Sequence, residues 1–73
     1  MAEYLIEVFW SAEDGGFIAT VPDLPGCSAF GNSREEAVRE VEDAIAAWIE
    51  ARRAAGEPIP EPVQRARSTA LAS

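Results

Sequence analysis

The chain has no histidine, no lysine and a single cysteine, Cys27. One thiol excludes an intramolecular disulfide, and without histidine it cannot complete a zinc site of the Cys-rich or Cys/His kind. The missing histidines also exclude Ser-His-Asp, Cys-His and other imidazole-based acid–base chemistry, so any catalysis would fall to carboxylates. No apolar run approaches the ~20 residues needed to span a bilayer. Residues 1–10 carry Glu3 and Glu7 and lack the basic start of a signal peptide. The expected compartment is the cytoplasm, with no membrane association and with Cys27 a reduced, small apolar residue. Length is lacking too. The chain's 73 residues allow one domain, and a domain of that size buries only about 60% of the surface of its unfolded chain. With no covalent or metal staple, support from an oligomer or a partner is expected.

What is abundant is acid. Thirteen Asp and Glu face six basic residues, all arginine, for a net charge of −7. That balance opposes the counterion chemistry of nucleic-acid binding and suits a basic protein partner, whose approach it would steer. The same charge would also serve solubility alone.

Residues 3–10 alternate, with Tyr4, Ile6, Val8 and Trp10 on one side and Leu5, Glu7 and Phe9 on the other, the pattern of a strand. Asp14-Gly15-Gly16 supplies a turn. Residues 17–21 read as a second strand, broken by Pro22-Asp23-Leu24-Pro25-Gly26, and residues 27–30 as a short third. Ser33-Arg34-Glu35-Glu36 fits a capping box, and Ala37, Val38, Val41, Ala44, Ile45, Trp48, Ile49 and Arg52 then recur at helical steps. A helix over residues 34–55, with Gly56 past its end and Pro58 beyond, would be about 33 Å long. Glu35 and Arg39 form a favourable i,i+4 pair within it. Residues 57–62 should be extended. The tail, residues 63–73, either adds a short fourth strand near Val63 or frays. The order β-β-β-α(-β) predicts an α+β domain over residues 1–62: an antiparallel meander with one long helix on one face.

If Trp10 lies opposite Phe17, then Val8 meets Ala19 and Ile6 meets Val21, giving a fully apolar face for the helix. The other face shows Leu5, Glu7, Phe9, Ile18 and Thr20. One helix cannot cover both, so the Leu5/Phe9/Ile18 face is expected to be an interface with a second copy or a partner. The turn at residues 22–26 has two readings. It sets the angle between strands, or it presents Leu24 as an exposed apolar tip for a partner. Trp10 and Trp48 are expected in the core.

The string Asp14-Gly15-Gly16-Phe17-Ile18-Ala19-Thr20-Val21-Pro22-Asp23-Leu24-Pro25-Gly26-Cys27 resembles the HicB antitoxin family. So do Gly31, the Ser33-Arg34-Glu35-Glu36-Ala37 helix start, the Ala-rich helix and Gly56-Glu57-Pro58-Ile59-Pro60. Together these cover most of residues 3–62. The resemblance implies a partial RNase H-like fold that assembles as a dimer or higher oligomer. It also implies a small basic partner, a HicA-type mRNA interferase, whose RNA-cleaving surface the antitoxin covers. Full-length antitoxins of the family usually add a C-terminal DNA-binding domain. The 11 residues after Pro62 are too few for one, so direct DNA binding is not expected.

An RNase H-like fold raises the question of metal-dependent nuclease chemistry, which needs several converging carboxylates. The candidates are Glu7, Asp14, Asp23, Glu36, Glu40 and Asp43. Asp14 and Asp23 belong to turns, where an Asx bond is their ordinary role. The helical acids are spaced as a solvated face. The expectation is therefore a binding protein that is not an enzyme, with no cofactor and no metal. Its contact residues are expected on the acidic helix face (Glu40, Glu42, Asp43, Glu50), on the mixed sheet face (Leu5, Phe9, Ile18) and at Leu24. The alternative is a self-associating structural or regulatory protein with no toxin partner.

Overall fold

A computed structural model describes residues 3–63. Three strands, β1 (Glu7–Ser11), β2 (Gly16–Thr20) and β3 (Ser28–Gly31), are followed by one helix, α1 (Arg34–Ala54). The sheet is antiparallel in the order β1-β2-β3. Trp10 lies opposite Phe17 and Val8 opposite Ala19, while the third pair of that register, Ile6 with Val21, falls outside the ladder. β2 and β3 pair Ile18 with Phe30 and Ala19 with Ala29.

β1 begins at Glu7 rather than residue 3, because its partner runs out. After Val21 the chain turns away at Pro22, which has no N–H to give a ladder. Two back-to-back turns follow. Leu24 N–H donates to the Val21 carbonyl and Cys27 N–H to the Leu24 carbonyl, both at 3.0 Å, and Val21 N–H donates to the Cys27 carbonyl at 3.1 Å. This double reversal points Leu24 inward.

α1 starts where the capping residues place it. Ser33 is the N-cap, and its hydroxyl accepts from Glu36 N–H at 3.1 Å. The Glu36 carboxylate reaches back one residue further than a standard capping box, accepting from Asn32 N–H at 2.9 Å. The helix ends in a Schellman motif: Gly56 N–H donates to the Arg53 carbonyl at 3.1 Å and Glu57 N–H to the Arg52 carbonyl at 2.9 Å. The motif needs a left-handed residue after the C-cap, and Gly56, at φ +73°, supplies it without a Cβ penalty.

The core lies between the sheet and α1: Ala19, Val21, Leu24, Cys27, Ala37 and Val41 are buried. Tyr4, Ile6, Val8, Phe17, Ala29, Ala44, Ile45 and Trp48 pack around them.

α1 packs mainly on β3 and β2 and least on β1. Its approach to β3 is close enough to exclude a side chain. A Cβ on Gly31 would lie 2.3 Å from the backbone nitrogen of Ala37. Residues 57–63 fold back across the end of the domain. The Arg52 guanidinium pairs with Glu57 at 3.1 Å, Tyr4 donates its hydroxyl to the Pro60 carbonyl, and Val63 N–H donates to the Asp23 carboxylate at 3.2 Å. At Val63 the chain is irregular rather than a strand; the rest of the expected tail lies outside the described residues.

Candidate interaction surfaces

The carboxylates considered for nuclease chemistry are dispersed. Asp14 accepts from the Ser11 hydroxyl at 2.8 Å in the first turn, Asp23 holds Val63, and Glu36 caps α1. Among the described residues no group of three or more His, Cys, Asp or Glu comes together that could hold a metal ion. Cys27 is buried, and burial pushes its thiol pKa up, which disfavours the nucleophilic thiolate.

Among the described residues two surfaces are apolar and open. The first is the outer face of the sheet. Phe9 lies opposite Ile18, and Ile18 opposite Phe30, so one apolar row crosses all three strands. Phe9 is 50% exposed and Phe30 42%. Ile18 and Leu5 are half-buried. Alternation along β1 and β2 is enough to find Phe9 and Ile18 but not Phe30, whose place in the row depends on the β2–β3 register. The neighbouring row, Glu7, Thr20 and Ser28, is polar.

The second is a groove of about 420 Å³ on the β1 side of α1. It exists because α1 leans toward β3. Its apolar lining is Tyr4, Ile6, Ile45, Ala46 and Ile49, and Glu3 and Glu42 complete it. Neither carboxylate has an ion-pair partner among the described residues, where the pairs are Arg52–Glu57 and Arg53–Glu50. The expected Glu35–Arg39 pair is not among them.

Two expectations need correction. Leu24 is fully buried, not an exposed tip, because the double turn aims it into the core. Trp10 is 57% exposed rather than core. It stands on the edge strand, where α1 gives least cover, and its ring meets Phe17 edge-on at 5.3 Å. The four helical acids, Glu40, Glu42, Asp43 and Glu50, are all exposed. At 100° per residue they spread over an arc of about 160°, from Glu42 in the groove lining through Glu50 and Asp43 to Glu40 on the opposite flank. Trp48 does join the packing, and its indole N–H donates to the Pro25 carbonyl at 3.0 Å.

A family model described as the HicB-like antitoxin of bacterial toxin–antitoxin systems matches residues 4–71. The chain belongs to the HicB-like antitoxin family. Its fold agrees with that of a chain in the solved HicA3 and HicB3 toxin–antitoxin complex. The TM-score is 0.71 at 35% identity, covering 89% of this chain and 74% of the other. The HicB-like chain is also similar to the UPF0150 protein Ta0767 of Thermoplasma acidophilum, 42% identical over 48 residues, or 66% of this chain and 70% of that protein. It is 40% identical over 48 residues to the UPF0150 protein ssr1765 of Synechocystis, covering 66% of this chain and 61% of that one. In the described residues no helix is long and apolar enough to cross a membrane.

Proposed function

We propose that this HicB-like chain is an antitoxin that binds a small basic HicA-type mRNA interferase in the cytoplasm and neutralises it by covering its active surface. The observation that carries this reading is the match in fold and sequence to a chain of a toxin–antitoxin complex. The net charge of −7 supports it, since it attracts a basic protein and repels a phosphate backbone. The dispersed carboxylates favour inhibition by contact over catalysis. The charge-free row of Phe9, Ile18 and Phe30 supports self-association through the outer sheet face, with copies stacking sheet on sheet.

The test is RNA cleavage by a small basic HicA-type protein, sought in the reading frames next to the gene for this chain. Stoichiometric addition of the purified chain should suppress cleavage, and co-expression should restore growth. Cleavage that persists in a molar excess of the folded chain would overturn the reading.

A further inference from the structure

We propose that the groove beside α1 is the docking place for a short extended segment of the basic partner, one that carries aliphatic side chains flanked by arginine or lysine. This rests on the antitoxin reading and adds to it the surface used and the chemistry it accepts.

The groove asks for both features. Tyr4, Ile6, Ile45, Ala46 and Ile49 offer apolar surface that the described residues leave open. Glu3 and Glu42 stand in the same lining with no ion-pair partner among the described residues, where Arg52 pairs with Glu57, Arg53 with Glu50, and Arg34 lies over the Phe17 ring at 4.8 Å. A neutral apolar segment would leave the carboxylates unmatched. A second copy of the chain, itself at −7, would bring like charge to them.

Dimensions fit an extended segment. From Glu42 to Ile49 the helix rises about 10 Å, the span of three to four extended residues. Alternate side chains of such a segment face one way, so two aliphatic groups can enter while flanking cations reach Glu3 and Glu42 in the same lining. Among the described strands β1 is an edge, and the lead-in at residues 3–6 lies outside the ladder, which leaves main chain for a partner segment to pair with.

The test uses the full chain and a capped peptide, Arg-Leu-Thr-Leu-Arg, followed by amide chemical shifts at low salt. Shifts should concentrate at residues 3–6 and 42–49. Glu42→Arg and Ala46→Arg, both at exposed helical positions, should each weaken binding about tenfold with unchanged circular dichroism. Replacing the leucines by serine, or the arginines by glutamine, should weaken it comparably. Shifts spread over acids outside the groove, or equal binding of the leucine-free peptide, would overturn the proposal. So would several-fold tighter binding on Arg65→Gln/Arg67→Gln, which would assign the groove to the chain's own tail. Failure here with intact toxin neutralisation would remove only the groove; peptide binding without neutralisation would remove only the antitoxin reading.

Discussion

The indole N–H of Trp48 donates to the carbonyl of Pro25 at 3.0 Å, joining the helix to a loop 23 residues earlier. The Arg52 guanidinium covers the same ring at 4.6 Å and pairs with Glu57, so one tryptophan ties the β2–β3 loop, α1 and the returning chain together. Trp48→Phe keeps an aromatic ring but loses the donor and weakens the cation–π contact. Chemical denaturation should show a loss of about 1–2 kcal/mol.

Gly31→Ala should be the most damaging small change. The new Cβ would lie 2.3 Å from the backbone nitrogen and 2.7 Å from the Cα of Ala37. Backbone must move to admit it, so a loss of about 1–3 kcal/mol or more is expected in urea melts.

Ser33→Ala removes the acceptor for Glu36 N–H. The expected cost is about 1 kcal/mol. Glu36→Gln, which keeps an acceptor for Asn32 N–H, should cost less, and comparing the two melting curves checks the order.

Burial raises the Cys27 pKa in the folded chain. The unfolded thiol ionises first as pH rises, so the unfolded state binds fewer protons and stability falls with pH from the ordinary thiol range upward. Below that range the effect is absent. Cys27→Ala should flatten this alkaline decline relative to wild type in denaturation curves taken from about pH 7 to 10, a window that brackets the ordinary thiol range.

Phe9→Ser/Phe30→Ser tests the outer sheet face. If copies associate there, light scattering should give a smaller mass for the double variant than for wild type at the same concentration. The variant's circular dichroism should be unchanged, because both rings are substantially exposed.

Local chemistry alone determined much of this protein. Alternation in residues 3–10 and 17–21 set which sides of β1 and β2 face the helix, since a one-residue slip would reverse every side chain. Ser33 and Gly56 marked the ends of α1 because capping is a short-range matter of orphan backbone groups. Tertiary structure decided the rest. Leu24 sits between two prolines, as an exposed tip would, and only the paired turns and the core beneath them bury it. Trp10 has the alternation of a core residue, yet cover depends on where the helix lies, and α1 leans away from β1. The same lean, set by the close approach of Gly31 to Ala37, opens the groove between Tyr4 and Ile49. No pattern along the chain encodes it, because it is the space left between elements that meet only in the folded state.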